Sequence, residues 1–378
     1  MSQSDRIGIL SACPEAFNGP WTVRHQVITR LAKDFWTVWF EPATYWRKLH
    51  GRLSFPKTVP VPDHGRLLRY DPGLSPKLNH SRQLGRLLDR MRLRQAARQL
   101  RNRGCDRIIL YLWRPEYAHF RDLLKADQCL YHIDDEYSFS EQESEIPQRE
   151  LHLIQAADNV IIHSPALMEK KGNINPSTTF VPNGVDYAWY AAPHDQPEDL
   201  KRIPYPRAGY IGIIKTQLDL AILKHLAEDR SDVSFVLVGP RGTLKSDVGI
   251  LNELSRLPNV FELGPKEPQE LAAYMQHMNV LLMCYKKNDY TKFIYPLKMH
   301  EYLATGRPVI STPLRSVRDF DEVVMLAETS HEWATALSDA LSAASLSDAQ
   351  VRRRQAVART HDWNTLVERI RGLIRTRW

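Results

Sequence analysis

Lys298 and Glu301 stand three residues apart in the segment Tyr295-Pro-Leu-Lys-Met-His-Glu-Tyr-Leu-Ala-Thr-Gly-Arg-Pro-Val-Ile-Ser311. Pro296 at an opening turn, about three turns of helix, then Gly306 and a short apolar run predict a helix leading into a buried strand. The spacing sets the ammonium and the carboxylate on one face of that helix. Free N–H groups at the helix start, together with the helix dipole, attract an anion, and Lys298 adds a full charge suited to phosphate. Glu301 can then accept hydrogen bonds from paired hydroxyls, as acidic groups do with ribose in other Rossmann sites. Tyr295 and Leu297 open the same turn and are counted with this site. A solvated intrahelical Lys–Glu pair is the plain alternative.

A second group of carboxylates closes the run Tyr131-His-Ile-Asp-Asp-Glu136, where an apolar strand passes into a loop. Asp135 is the candidate acid–base residue, because a carboxylate at a strand end can take the proton of an attacking hydroxyl. Helix capping is its alternative role. The loops Gly239-Pro240 and Gly264-Pro265-Lys266 follow apolar runs at what is expected to be one sheet edge, where open α/β sheets take their ligands. Their alternative is ordinary turns punctuated by glycine and proline.

These groups need elements to hold them. Short apolar runs alternate with helical patterns along the whole chain, the signature of parallel sheets covered by helices on both faces. The first half has runs at 7–12, 36–40, 107–113, 129–133, 160–163 and 179–181, with helices expected over 22–33, 82–103 and 146–157. The second half repeats the scheme at 209–214, 233–239, 260–263, 280–285 and 308–312. A proline-rich stretch with Pro193, Pro197, Pro204 and Pro206 reads as an extended connector. The expected organisation is a Rossmann-like domain over 1–190, a linker over 191–206, a second Rossmann-like domain over 207–360 and a closing helix over 361–378. No repeat of 20–50 residues is visible, which disfavours solenoids and propellers.

A chain of 378 residues suits two cores better than one, and 43% hydrophobic with 25% charged residues is a globular composition. Four scattered cysteines, Cys13, Cys105, Cys129 and Cys284, show no CxxC spacing, so neither a disulfide framework nor a zinc knuckle is expected. The start carries no charged and apolar leader, and no apolar run approaches the roughly 20 residues of a membrane-spanning helix; the expectation is a cytoplasmic protein. The net charge of +7 is unevenly spread: residues 47–107 hold 16 Lys or Arg against four acids, and residues 122–158 hold ten acids and two bases. A basic segment of that kind points to an anionic surface or a phosphorylated ligand.

The segment Pro296 to Ile310 resembles the donor-binding signature of glycosyltransferase family 4, retaining GT-B enzymes, in the branch that builds bacterial teichuronic-acid-like and exopolysaccharide chains. Val181-Pro-Asn-Gly-Val-Asp186, Gly209-Tyr-Ile-Gly212 with Asp219, and the run ending at Glu136 resemble further pieces of that family in the same order. The resemblance covers most of 107–312, with weaker support at 7–42. It implies the GT-B fold: two Rossmann-like domains with a cleft between them and a C-terminal helix returning to the N-terminal domain. It implies a sugar transfer from a nucleotide diphosphate donor of UDP or GDP type to a lipid-linked or saccharide acceptor, with no cofactor. It places Gly212 and Lys215 beside the diphosphate, and Gly19 and His25, in the loop after the first strand, beside the acceptor with Asp134. The chain also resembles the inverting glucuronosyltransferase of xanthan assembly, whose catalytic aspartate falls on Asp135. The family usually carries a pair of glutamates eight positions apart, and the first would fall on Phe293. The Asp-Asp-Glu run also has the composition of a divalent-metal site; the resemblance implies none, because lysines and a helix end replace the metal. Lys298, counted as catalytic, Lys215 and backbone amides would stabilise the departing diphosphate.

Residues 82–107 carry nine arginines and two aspartates, with Leu84, Leu87, Leu88 and Met91 at helical spacing. The leucine stripe is expected to bury and the arginines to surround it, a basic amphipathic helix suited to docking on the anionic inner face of the plasma membrane. Two rivals stand beside the transferase reading. A nucleic-acid-binding protein would interleave aromatic residues on this helix, and none occurs there. A nucleotide-sugar epimerase would use the same paired fold with a different outcome.

Overall fold

The computed structural model describes residues 6–42, 44–45, 56–75, 82–137 and 144–377. They divide into two compact units, Met1–Val181 with Leu366–Trp378, and Pro182–Thr365.

The strands of the first unit are β1 (Ile7–Ala12), β2 (Trp36–Phe40), β3 (Thr44–Tyr45), β4 (Lys57–Pro60), β5 (Leu67–Asp71), β6 (Leu74–Ser75), β7 (Arg107–Leu112), β8 (Gln128–Ile133), β9 (Asn159–Ile162) and β10 (Thr178–Phe180). All but β3 and β6, which pair with each other, form one sheet in the order β10-β9-β8-β7-β1-β2-β5-β4. It is parallel except where β4 runs against β5. Every residue of β1 and β8 is buried, which is why these strands read as continuous apolar runs. The connecting helices are α1 (Val23–Leu31), α2 (Arg82–Arg101), α3 (Phe120–Leu123), α4 (Gln148–Ala156) and α5 (Pro165–Lys171). The α5 start follows the local rules: Ser164 accepts the Leu167 N–H at 3.3 Å and Pro165 takes the first position. From β1 the chain goes to β2 on one side and to β7 on the other, so the C-terminal ends of β1 and β7 flank the point where the winding reverses.

The second unit holds α6 (Tyr187–Ala191), β11 (Arg207–Ile211), α7 (Leu220–Asp229), β12 (Ser234–Val238), α8 (Val248–Leu254), β13 (Val260–Gly264), α9 (Leu271–Gln276), β14 (Val280–Met283), α10 (Leu297–Ala304), β15 (Val309–Ser311), β16 (Met325–Leu326), α11 (Ser330–Ala340) and α12 (Asp348–Thr360). Its six strands are all parallel, in the order β13-β12-β11-β14-β15-β16, which is the 3-2-1-4-5-6 winding of a dinucleotide-binding sheet with its reversal between β11 and β14. Leu223, Leu226, Phe235, Leu237, Leu282, Ile310 and Trp333 fill the core on one side of it.

The last helix, α13 (Trp363–Arg375), belongs to the first unit from Leu366 onward. Leu366, Val367, Ile370 and Ile374 are buried. Arg371 reaches the Arg30 carbonyl at 2.8 Å and Asp34 at 2.7 Å, and the Leu373 carbonyl accepts from Gln128 at 3.1 Å.

Three sequence expectations change here. Residues 191–206 lie inside the second unit, where Leu200 and Ile203 are buried and their carbonyls accept from the Arg207 guanidinium. A buried arginine that satisfies these carbonyls pins a stretch whose prolines suggested a free connector. The short strand β5 went unnoticed because Arg69 breaks its apolar run. On α2 most of the stripe expected to bury is turned outward: Leu84, Leu87 and Met91 are 48%, 53% and 60% exposed, Leu88 is half-buried, and Leu93, Ala96, Ala97 and Leu100 in the later turns pack instead. No helix among the described residues is long and apolar enough to cross a membrane.

Candidate functional site

In the second unit, β11, β12 and β13 each run out at a glycine: Gly212, Gly239 and Gly264. The Gly212 N–H donates to the Val238 carbonyl and the Gly239 N–H to the Gly264 carbonyl, both at 2.8 Å. Gly212 and Gly239 have φ of +150° and +142°. A Cβ on Gly239 would strike the Gly212 carbonyl, and one on Gly212 would stand 2.5 Å from Lys298 Nζ. The backbone of these glycines forms part of this edge, and the Lys298 ammonium rests against Gly212.

Helix α10 puts it there. Pro296 occupies its N-cap position, and Met299, Tyr302 and Leu303 are fully buried. The Tyr302 hydroxyl accepts from the Ile211 N–H at 2.9 Å and donates to the Ile211 carbonyl at 3.2 Å, which locks α10 to the last residue of β11. Lys298 Nζ then lies 3.5 Å from the Tyr285 hydroxyl beyond β14 and 5.2 Å from the Tyr210 ring, at the reversal point of the sheet. Burial opposes its charge, but the hydroxyls of Tyr210, Tyr285 and Tyr302 and the Glu301 carboxylate hold its pKa well above the ordinary lysine value. It forms no ion pair among the described residues. A cation so placed, at the start of a helix whose first N–H groups have no intrahelical partner, is arranged for a phosphate.

Glu301 is half-buried one turn further along. Burial raises its pKa, while Lys298 and a hydrogen bond from Tyr190 of α6 pull it down. Lys215 follows Ile214, whose N–H donates to the Pro240 carbonyl at 3.0 Å, so the loop from Gly212 to Lys215 runs beside Gly239-Pro240, with Lys298 against Gly212. The other donor-side candidates stand apart in what they do. Tyr295 is buried and its hydroxyl bonds His300 Nε2 at 2.9 Å, so it braces the helix start; Leu297 is half-buried beside it and Pro265 is exposed. Lys266 gives its charge to Asp199 at 2.7 Å and lies 5.3 Å from the Tyr274 ring. Phe293 is 2% exposed, so an apolar ring fills the position where the resemblance would put a carboxylate. Tyr190, Tyr210 and Tyr285 were not singled out from sequence, where a tyrosine in an apolar run reads as core. Their hydroxyls mark the site only once α6, β11 and β14 are brought beside α10.

In the first unit the candidate carboxylates gather beyond β8. Asp134 is nearly buried and accepts both Arg24 contacts, at 2.8 and 2.9 Å, and the Tyr137 hydroxyl. Arg24 also binds Glu15 at 2.9 Å. Asp134 is thereby a neutralised, fixed charge. Asp135 accepts only the Glu136 N–H, at 2.9 Å, among its resolved bonds; burial and the neighbouring Asp134 raise its pKa above the usual carboxylate value. A carboxyl so perturbed suits proton transfer better than Asp134 does. Beneath it, the fully buried Lys171 binds Glu136 at 2.9 Å and Glu150 at 2.8 Å, and this fixes the loop's far end. Gly19 is exposed, its N–H on the Ala16 carbonyl at 3.0 Å. His25, expected beside the acceptor, is instead wholly buried and braces the loop: its Nδ1 accepts the Thr22 N–H at 3.1 Å and its Nε2 faces the Phe17 carbonyl at 2.9 Å.

Two sheets, each with its winding reversed beside its first strand, are the architecture of the two-Rossmann glycosyltransferases. Residues 214–343 match the family model of glycosyl transferases group 1. Over 287 residues, 70% of this chain and 71% of the relative, the sequence is 31% identical to a candidate teichuronic acid biosynthesis glycosyltransferase, TuaH, of Bacillus subtilis strain 168. The chain belongs to the group 1 glycosyltransferases. Its fold is similar to solved structures of sucrose-phosphate synthase from Thermosynechococcus elongatus (TM-score 0.69, 16% identity, 98% of each chain) and a trehalose-6-phosphate structure from E. coli bound with UDP-2-fluoro glucose (TM-score 0.69, 12% identity, 97% of this chain and 98% of that one). A glycosyltransferase from Rickettsia africae is similar as well (TM-score 0.68, 11% identity, 97% of each chain).

Proposed function

We propose that this enzyme transfers a sugar from a UDP- or GDP-type nucleotide diphosphate to a lipid-linked or saccharide acceptor in bacterial cell-surface polysaccharide synthesis, without a metal. The observation that carries the donor half is the Lys298 ammonium lying against the bare backbone of Gly212 at the sheet's reversal point. The diphosphate sits on Lys298, Lys215 and the first N–H groups of α10, and Glu301 takes ribose hydroxyls. Asp135 takes the proton of the acceptor hydroxyl as that oxygen bonds the anomeric carbon. The bond from this carbon to the diphosphate breaks, and the departing oxygen leaves with its electron pair against Lys298. That is the inverting alternative, in which Asp135 serves directly as base; in a retaining transfer, as in the family the chain resembles, the departing diphosphate itself assists a front-face attack. The similarity to a candidate teichuronic acid glycosyltransferase supports a cell-wall or capsular product.

The outward apolar stripe of α2, with the exposed Arg86, Arg90, Arg94 and Arg98 on the same helix, supports peripheral association with the anionic inner face of the plasma membrane. A thermal-shift screen of nucleotides and nucleotide sugars tests the donor half. A ligand at 100 times its dissociation constant should stabilise the chain by about 2.7 kcal/mol. Stabilisation by a UDP- or GDP-sugar is the expected outcome, and none from any nucleotide diphosphate would end the reading.

A further inference from the structure

Trp21 lies in the loop after β1, at the ligand-binding edge of the first unit's sheet. Its ring stacks on His25 at 4.8 Å and 29°, and His64 lies 5.9 Å away at a similar tilt. The support behind it is rigid. His25 has no exposure and both nitrogens face the loop's own backbone, and Trp39 and Phe17 close on it at 4.5 and 5.3 Å. Trp39 is itself held by its indole N–H on the Glu15 carbonyl at 3.1 Å. Trp21 nevertheless remains 44% exposed. A large apolar ring is thus anchored from within and left open to solvent in the loop that follows β1.

The same loop carries Glu15, which accepts the Thr22 hydroxyl at 2.9 Å and Arg24 at 2.9 Å, and Arg24 goes on to Asp134. A pyranose has one apolar C–H face and a rim of hydroxyls. The complement of that shape is a fixed aromatic plane with hydrogen-bonding groups in the same loop, of which the partly exposed Glu15 is one.

We infer that Trp21 is a stacking platform for a pyranose ring of the acceptor, with His25 as the residue that positions it. This rests on the reading that the first unit takes a saccharide acceptor. The whole chain labelled with 5-fluorotryptophan tests it by fluorine NMR, the Trp21 resonance being assigned by its loss in Trp21→Phe. Methyl glycosides of glucose, galactose, mannose and N-acetylglucosamine are titrated one by one, with sorbitol as an open-chain polyol of the same polarity. The Trp21 resonance should move with at least one pyranoside and stay still with sorbitol. Saturation transfer to that pyranoside should fall to background in Trp21→Leu and persist in Trp21→Phe. A resonance unmoved by every pyranoside, moved equally by sorbitol, or moved only by phosphatidylglycerol vesicles would overturn the inference. The nucleotide-sugar thermal shift, measured on the same sample, reports separately on the donor reading.

Discussion

Replacing Lys298 by methionine keeps a side chain of similar length under the roof of Tyr210 and Tyr285 and removes the charge. A charge-assisted bond to phosphate is worth about 1.5–3 kcal/mol, so nucleotide-sugar affinity measured by calorimetry should fall roughly 10- to 100-fold. Gly212→Ala should weaken the same binding by another route, because its methyl would displace the ammonium and its φ of +150° disfavours any side chain. That residue should also cost about 1–3 kcal/mol in unfolding free energy. Asp135→Asn should keep donor binding and lower turnover by about 100- to 10,000-fold. Since burial and Asp134 raise the Asp135 pKa, wild-type activity should rise with pH on a limb displaced above the ordinary carboxylate range. A base must be unprotonated, which fixes that sign, and a limb at the ordinary carboxylate position would argue against Asp135.

The helices divide into those whose placement local pattern discloses and one where it misleads. For α10, proline, spacing and the trailing Gly306 mark both its limits and its polar face. Along α2 the leucines and the later alanines form different apolar arcs on one arginine-rich helix, and periodicity cannot tell which arc the domain covers. Packing chose the later turns, where the small Ala96 and Ala97 approach the sheet closely. Each basic residue near an anionic surface contributes about 1 kcal/mol, and apolar insertion adds to it. Liposome flotation should therefore recover the chain with anionic vesicles at low salt. Recovery should drop in Leu84→Ser/Leu87→Ser/Met91→Ser, a variant that leaves the buried face intact. Equal recovery with neutral and anionic vesicles would remove the membrane role.

Across the described residues of both units, four histidines are buried and kept neutral: His25, His132 and His163 in the first unit and His300 in the second. Burial lowers all four from the ordinary value of 6.5, His132 to about 3. Each therefore binds a proton in the unfolded chain before it does in the folded one. Stability should be complete above roughly pH 6.5 and fall as the pH drops below it, by about 1.4 kcal/mol per pH unit for each histidine that stays neutral. Thermal unfolding followed across mildly acidic pH checks this, and His132→Gln should flatten the profile. An unchanged slope in that variant would show that His132 contributes nothing to the acid sensitivity.

The strands at 7–12, 36–40 and 280–283, the helix of Lys298 and Glu301, and the glycines that end the second unit's strands were all legible in the sequence, because each expresses a local rule of burial, helical period or turn geometry. The position of Lys298 over Gly212, the bond from Tyr190 to Glu301 and the neutralisation of Asp134 by Arg24 were not. Nor was the inward turn of His25. Each joins residues far apart along the chain, and which of them meet depends on strand order and on which helix face packs. Apolar runs announce that strands and helices exist, but close packing among many elements at once decides their neighbours.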